Sequence, residues 1–372
     1  MTTSVLSIGT AVPSTRLAQG QVRDLFAAQP GVDRRTQRLI HAAFDAAAIE
    51  HRHTVLAGLS GREPDDEMAM TVVDAAGTLL RPTTGARNTE FIRLAPALFA
   101  AAARSALTSA AVAPEQITHV VTVSCTGLVA PGPDYRLVRD LGLPTTVERY
   151  HLGFVGCAAG IPALRTAARI CAAQPDAVVL VVCAELCTLH FRPSADPQQI
   201  VASSVFADGA AAAVVTADTS LRGSAWLELE RFGTALTEEG ESDMVWTVGD
   251  AGFEMVLSAE VPRIVGREIR GAVETFLGDD TVDAWAVHPG GRSVLDRVEA
   301  GLDLGPDALT DSRAVLREYG NMSSATILFI LGRFLSSAAG DPAPGRRIAA
   351  LAFGPGLTVE SALLTARTTG RV

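Results

Sequence analysis

The chain has 372 residues, of which 48% are hydrophobic and 19% charged, and its formal net charge is −10. This length and composition allow a large core and predict two domains or one duplicated unit. The acidic balance argues against a nucleic-acid binder that depends on phosphate contacts, and the complete lack of lysine excludes P-loop, Schiff-base and lysine-base chemistry.

Helical and buried-strand patterns alternate through the first half of the chain. Predicted helices cover residues 37–49, 95–110 and 158–173, and predicted strands cover 119–125, 145–152, 177–184 and 209–216. Runs such as AVVLVVCA are continuously apolar, which is typical of strands covered on both faces. The pattern predicts an α/β fold with a covered sheet.

The second half has a similar layout. A buried strand at 284–288 ends in Pro-Gly-Gly, a helix follows, and a further helix begins within YGNMSSATILFILGRF. A strand at 347–354 and a last element at 357–366 complete the pattern. The distance from Cys125 to Cys157 is 32 residues, and that from His288 to Asn321 is 33. These similar spacings favour an internal duplication of an α/β unit.

Cysteine usage and hydropathy bear on the compartment. The five cysteines are odd in number and form no C-x-x-C pair, and the start MTTSVLSIGT lacks the features of a secretory signal. Free thiols in a reducing cytoplasm are the simplest interpretation. Since no uninterrupted apolar run reaches about 18 residues, we predict no membrane span.

Cys157 stands in GFVGCAAG, where a helix is predicted to begin. A helix N-terminus and a cationic neighbour can lower the pKa of a thiol, and the small residues around Cys157 would let a substrate reach the sulfur. The alternative is an inert buried cysteine of the core, which is common in proteins.

His288 and Asn321 are further candidates. His288 ends a predicted strand, at the sheet edge where ligands bind in open α/β proteins, although a loop histidine is the alternative. Asn321 is one of only two asparagines, the other being Asn88, and it precedes a predicted helix. It could cap that helix or donate to an oxyanion. A Cys-His-Asn set also occurs in papain-like proteases, so it does not name the reaction.

Longer motifs carry a resemblance that covers the chain from about residue 5 to residue 367. They are VSCTGLVAPGPDYRLVRDLGL, GCAAG, CAELCTLHFRP, FADGAAAAVV, AVHPGGRSVLDRVE, EYGNMSSA and FGPGLTVE. In their order and spacing they resemble the type III polyketide synthases, the chalcone-synthase-like branch of the thiolase superfamily. The resemblance implies a five-layered αβαβα thiolase fold in a homodimer, with pseudo-duplicated halves at 1–218 and 219–372. It places the nucleophile in the first half and the catalytic histidine and asparagine in the second.

The same resemblance implies an activity. Cys157, paired with protonated His288, would accept an acyl group from an acyl-CoA. Malonyl-CoA would lose carbon dioxide to give an enolate that His288 and Asn321 stabilise by hydrogen bonds, and the enolate would extend the chain by two carbons. After a few rounds the polyketide would cyclise. The resemblance implies CoA thioesters as substrates, no cofactor and no metal.

The resemblance also assigns residues around the cavity, and these bear on the starter. The matching positions are Phe206 and Met255 as gatekeepers, Cys125, Cys187, His190, Trp246 and Ser323 as cavity residues, and Gly354, Pro355 and Gly356 as the cavity-shaping loop. Ala130 stands where many members carry a methionine that reaches into the partner's site. Long-chain-accepting bacterial members share alanine there and cysteine at the position of Cys187. We therefore expect a medium- or long-chain fatty acyl starter and an alkylpyrone or alkylresorcinol product.

Delivery of the starter is the point where the sequence departs from the family. The helix that usually carries basic residues for the CoA phosphates reads LIHAAFDAAAIEHRH here, with alanine at two of those places. Arg38 and His41, with Arg34 and Arg35, are the candidate replacements. Otherwise an acyl carrier protein could deliver the starter.

Other functions remain open. A malonyl-primed aromatic synthase, of the tetrahydroxynaphthalene or dihydroxyphenylacetyl-CoA type, would need the small pocket that Trp246 and the cysteines could form. A ketoacyl synthase III-like enzyme would stop after one condensation. A Cys-dependent acyl-CoA hydrolase and a non-catalytic scaffold belong to other classes.

Overall fold

The computed structural model describes residues 2–62, 69–338 and 345–369. Its strands are β1 (Thr3–Ala11), β2 (Thr15–Ala18), β3 (His51–Thr54), β4 (His119–Ser124), β5 (Glu148–Gly153), β6 (Val178–Leu186), β7 (Asp208–Thr216), β8 (Ala225–Leu236), β9 (Met244–Gly249), β10 (Gly252–Leu257), β11 (Ala284–Val287), β12 (Arg347–Gly354) and β13 (Thr358–Thr368). Its α-helices are α1 (Gln19–Ala27), α2 (Arg34–Ala46), α3 (Thr84–Ala110), α4 (Pro133–Leu141), α5 (Gly160–Ala173), α6 (Pro197–Val205), α7 (Val261–Leu277), α8 (Arg292–Gly301), α9 (Thr310–Tyr319) and α10 (Thr326–Ala338).

Nine of these strands form one sheet in the order β11-β12-β13-β8-β1-β7-β6-β4-β5. In the first half, β1 and β6 both run antiparallel to β7, and β6 is parallel to β4. In the second half, β8 and β12 both run antiparallel to β13, and β12 is parallel to β11. The four strands of the second half match four of the five strands of the first, with β5 as the extra edge strand, which is the duplication that the spacing predicted.

The halves join where β1 pairs with β8, through three residue pairs from Thr3–Leu229 to Val5–Leu227. Helices α5 and α10 pack on each other and on strands of both halves, so they form the central layer. Helix α3 covers the other face of β1, β6 and β7, and α7 lies against β8 and α8. The two halves of the sheet therefore enclose the central helices, and the layers alternate helix, half-sheet, helix, half-sheet, helix.

Burial along the strands shows that the sheet is covered on both faces. All nine residues of β6 are buried. Along β4, Val121 and Val123 join the apolar cluster around α5 and α10, whereas Val120 joins the cluster around α3. Because successive side chains of a strand point to opposite faces, most residues of such a strand are apolar, and its buried polar side chains need hydrogen-bond partners.

The predicted helices α2 and α3 differ from the observed ones at their N-termini. Helix α2 begins at Arg34 because the Asp33 side chain accepts a hydrogen bond from the backbone N–H of Thr36. Helix α3 begins at Thr84, capped by Thr83, and continues through Pro96 where the prediction placed its start. This 27-residue helix is long and apolar enough to pass a composition test for a membrane span. Half of that apolar window is buried against the sheet, however, and passing such a test is only weak support for a span.

Candidate active site

Cys157 lies in a short 3-10 turn, Gly156–Ala158, just before the central helix α5. Gly156 has φ +79°, and a Cβ atom at this position would come within 2.1 Å of Cδ of Pro355. Only glycine fits both conditions, so Gly156 lets the cavity-shaping loop pack against the turn that presents the thiol. The Cys157 side chain is 8% exposed.

His288 follows the last residue of β11 and is fully buried. Its backbone N–H donates to the carbonyl of Leu351 on the neighbouring strand, which fixes the end of β11. Neither ring nitrogen has a hydrogen-bond partner within the described chain. An unpaired buried imidazole is costly, so its nitrogens are available for a ligand in the cavity that it lines.

Asn321 precedes α10 and is held by the segment that links α6 to β7. Its backbone N–H donates to the carbonyl of Val205 and its own carbonyl accepts from Ala207 N–H, each at 2.9 Å. The side-chain Nδ2 donates to the carbonyl of Gly290 at 3.2 Å, and Oδ1 accepts from the N–H of Ser323. Asn321 therefore ties the loop after His288 to the start of the central helix.

Cys157, His288 and Asn321 all line one cavity of about 570 Å³. Burial raises the pKa of the Cys157 thiol to about 11, while hydrogen bonding to Ser323 and Asn321 acts in the opposite direction. Burial lowers the pKa of His288 to about 3. In the ligand-free site these shifts favour a neutral thiol and a neutral imidazole. The family resemblance implied a thiolate beside a protonated histidine instead.

A second, inner cavity adjoins Cys157 and has a volume of about 20 Å³. Its walls include Cys125, Cys187, Trp246, Ser323 and Pro355. This volume is enough for about one water molecule.

Trp246 closes this inner cavity. Its indole Nε1 donates to the carbonyl of Cys125 at 2.7 Å, and its ring meets the rings of His190 and Phe253 edge-on at 5.6 and 5.8 Å. These contacts fix the position of the indole against the wall.

Phe206 and Met255 stand between the outer and inner cavities, because both line each of them. Met244, which the sequence analysis did not single out, does the same. In the β9–β10 hairpin, Met255 pairs with Trp246, two residues after Met244 on β9. Residues two apart on a strand share a face, so the sequence could have placed Met244 on the same face as Trp246.

Arg52 supports the residue at this boundary. It is fully buried, and its guanidinium donates to the carbonyls of Phe206, Ser203 and Ser204 at 2.7–3.1 Å and to the side chain of Gln19. Arg52 thus caps the C-terminal end of α6 and fixes the backbone of Phe206.

Several predicted cavity residues line neither of the two cavities described above. His190 lies behind the wall, stacked on Phe253 at 4.2 Å, with its Nδ1 accepting from Phe253 N–H and its Nε2 donating to the carbonyl of Thr126. Ala130 is exposed on the surface. Gly354 lets its loop pack closely on the turn of Cys157, because a Cβ there would lie 3.1 Å from that of Ala158, and Gly356 has φ +71°.

The basic residues at the cavity mouth differ from the predicted ones. Arg38 and His41 lie on α2, but that helix lines the cavity through Ala43 and Ala46. Arginines from the opposite wall line it instead, and they are Arg263 of α7 with Arg292 and Arg297 of α8. The motif VPRIVGRE contains only Arg263 of these three, and Arg292 and Arg297 lie in the separate stretch GGRSVLDRVE.

Glu185 was also missed, although it lies within the CAELC motif. The carboxylate is fully buried and accepts hydrogen bonds from Cys125 N–H, Thr126 Oγ1 and Ser324 Oγ at 2.6–2.9 Å. Burial raises the pKa of Glu185 to about 7, against the effect of these donors. Glu185 joins the end of β4 to the start of α10. No cluster of three or more potential metal ligands occurs among the described residues.

Comparison with known proteins agrees with this architecture. Residues 2–219 match the family model of chalcone and stilbene synthases, N-terminal domain, and residues 233–368 match that of the C-terminal domain. The solved structure of PKS-I from the brown alga Ectocarpus siliculosus superposes with a TM-score of 0.91 at 28% identity, covering 99% of this chain and 98% of that one. The type III domain of Steely1, a type I/III hybrid from Dictyostelium, gives 0.88 at 29% identity, covering 99% and 100%.

Two relatives of known sequence are 30% identical to the chain over 97% of its length. One is 1,3,6,8-tetrahydroxynaphthalene synthase from Streptomyces peucetius subsp. caesius, of which the match covers 93%. The other is probable polyketide synthase 1 from Dictyostelium discoideum, of which the chain spans only 11%. The fold is thus that of a condensing enzyme of the acyltransferase type. The chain belongs to the chalcone and stilbene synthase family, the type III polyketide synthases.

Proposed function

We propose that the protein catalyses iterative decarboxylative condensation of malonyl-CoA on a Cys157 thioester. In the loading step the Cys157 sulfur attacks the starter thioester, its proton passes to neutral His288, and CoA leaves with a proton. A buried imidazole whose pKa is lowered is unprotonated at neutral pH and can accept that proton. These steps use CoA thioesters and the chain's own residues.

Extension then uses His288 and Asn321 together. Malonyl-CoA loses carbon dioxide, and the electron pair of the broken bond forms an enolate whose oxygen accepts hydrogen bonds from the two side chains. The enolate carbon attacks the carbonyl of the acyl-Cys157, and the thiolate leaves. The unpaired ring nitrogens of His288 support this role, because the enolate oxygen would supply the missing partner.

The starter that the geometry supports best is small, and malonyl priming is the main proposal. The observation that carries it is the 20 Å³ inner cavity beside Cys157, closed by Trp246. An alkyl chain on Cys157 cannot extend into this inner cavity, so the acyl group and the growing polyketide would lie in the 570 Å³ outer cavity, which Cys157 also lines. The printed name of the Streptomyces relative, a tetrahydroxynaphthalene synthase, supports an aromatic product of the same kind.

A medium- or long-chain fatty acyl starter, giving an alkylpyrone or alkylresorcinol, is the second candidate. Met244 and Met255 stand at the boundary of the two cavities. Methionine side chains are flexible, and a change of their rotamers would join the inner cavity to the 570 Å³ outer one.

Mass spectrometry of the products separates the two candidates. Purified protein is incubated with malonyl-CoA alone and with acyl-CoAs from acetyl to stearoyl, with Cys157→Ala as the control. We expect a product from malonyl-CoA alone that the variant does not form. Triketide pyrones from C8 and longer starters, with nothing from malonyl-CoA alone, would favour the second candidate.

We also propose a homodimer in a reducing compartment. The five cysteines are free. The edge strand β5 is almost entirely exposed, and apolar Ile92, Leu128 and Val129 are 37–49% exposed. An open sheet edge beside apolar side chains favours pairing with a second copy. Analytical ultracentrifugation of the wild type and of Val129→Glu tests this, and a wild-type monomer would refute it.

A further inference from the structure

A groove with three arginines and no acidic side chain in its lining lies beside the catalytic cavity. Arg263 and Arg267 of α7 and Arg297 of α8 line it, and its floor is formed by Gly266, Ala300 and Gly301. Its volume is about 410 Å³.

Two glycines bring the helices close enough to form this groove. A Cβ at Gly301 would lie 3.1 Å from the carbonyl oxygen of Gly266 and 2.7 Å from Cγ2 of Ile269. A Cβ at Gly266 would lie 3.2 Å from Cδ of Arg297. Because neither glycine has a side chain, the aliphatic part of Arg297 can pack across α7.

The charges of these arginines are available to a ligand. Arg297 forms no ion pair with any described residue. Arg263 and Arg267 pair with Glu260 and Glu239, which are 48% and 68% exposed. Exposed pairs of this kind contribute little free energy, so an anion can replace the carboxylates at small cost.

Arg263 and Arg297 line both the groove and the catalytic cavity, so the groove directly adjoins the cavity. We propose that the groove binds the phosphates of the 3′-phosphorylated adenosine diphosphate end of a CoA thioester whose acyl end lies at Cys157. Planar guanidinium groups suit phosphate oxygens because they donate two parallel hydrogen bonds. The inference rests on the proposed function. It assigns recognition of the CoA phosphates to α7 and α8 rather than to α2.

The test compares two malonyl thioesters, one of CoA and one of N-acetylcysteamine, which lacks the nucleotide. In Arg297→Gln the KM for malonyl-CoA should rise about tenfold, as expected for loss of one charge-assisted contact of about 1.4 kcal/mol, with kcat unchanged. Turnover of the N-acetylcysteamine thioester should not change. Arg270→Gln, one turn further along α7 and outside the groove lining, is the matched control, and Arg38→Gln tests the predicted α2 site.

A direct binding measurement keeps the groove separate from the catalytic proposal. Adenosine 3′,5′-bisphosphate should bind to the wild type and bind about tenfold more weakly to Arg297→Gln, and added salt should weaken binding. If no thioester is turned over but this binding persists, the proposed function fails and the groove stands. Three results would overturn the inference. The first is an unchanged KM and unchanged binding in Arg297→Gln, and the second is an equal loss of turnover with both thioesters. The third is a dependence on Arg297 that appears only with a malonyl carrier protein.

Discussion

Replacing Trp246 with alanine tests whether the inner cavity limits the starter. The indole is half-buried, donates to the carbonyl of Cys125 at 2.7 Å and lies against Phe206 at a centroid distance of 6.3 Å. Its removal would leave the 20 Å³ cavity open toward the space that the ring now fills.

The size of the effect follows from cavity energetics. Truncating a buried tryptophan to alanine costs about 3–5 kcal/mol, of which an unrelaxed cavity of about 120 Å³ would account for about 3 kcal/mol at about 24 cal/mol per Å³. The cost at Trp246 should be somewhat lower, about 2–3 kcal/mol, because the side chain is only half-buried. The enlarged cavity would hold about four water volumes, or a short alkyl chain. Because each buried methylene contributes about 0.8 kcal/mol, kcat/KM for hexanoyl-CoA relative to acetyl-CoA should rise about 10²-fold.

The assay is competition between acyl-CoAs of increasing length in one reaction, with products quantified by mass spectrometry. Trp226→Ala is the matched control, since Trp226 lies on β8, stacks with Arg222 and lines neither cavity described above. Thermal unfolding of both variants shows whether any loss of activity reflects loss of fold. If Trp246→Ala is folded and its starter preference equals that of the wild type, the inner cavity does not select the starter.

The remaining predictions concern the reacting groups and the support of the gate. Since burial raises the pKa of Cys157 to about 11, its alkylation by iodoacetamide should keep accelerating from pH 7 to about 10, and a plateau near pH 6 would instead reveal a thiolate–imidazolium pair. Burial lowers the pKa of His288 to about 3, so as the pH falls below 6.5 this histidine is protonated in the unfolded chain but not in the folded one. In urea titrations between pH 8 and 5, the free energy of unfolding of the wild type should therefore fall by about 2 kcal/mol more than that of His288→Gln. Equal decreases would contradict this. Asn321→Ala should lower kcat by about 10²–10³ and slow Cys157 alkylation, since its hydrogen bond favours the thiolate, and a kcat within threefold of wild type would exclude an enolate contact. Arg52→Met should lower the unfolding free energy by about 3 kcal/mol by stranding buried carbonyls, including that of Phe206, and a wild-type Tm would show that those carbonyls find other partners.

Local patterns in the sequence predicted the α/β fold and singled out three candidate residues that line one cavity. The apolar runs of β4, β6 and β7 are readable because strands covered on both faces carry few polar residues. Cys157 and Asn321 stood out because each follows a glycine and precedes a central helix, and the structure brings both to one cavity with His288.

The shape of the cavity was not readable in the same way, because it depends on contacts between distant segments. The β9–β10 hairpin fixes which side chains face Cys157, and its register places Met255 opposite Trp246. A shift of one residue would reverse both faces, and no local signal sets that register. The close approach of α7 and α8 through Gly266 and Gly301 is likewise a property of their packing.

The pseudo-duplication has a consequence for how the enzyme loses activity. The candidate nucleophile belongs to the first repeat and the imidazole and amide to the second, so neither repeat holds a complete set of reacting groups. The backbone connection between the repeats within the sheet is the short β1–β8 ladder. Activity therefore depends on how the two repeats are aligned. A small shift at the β1–β8 interface would inactivate the enzyme even if every helix and strand stayed folded.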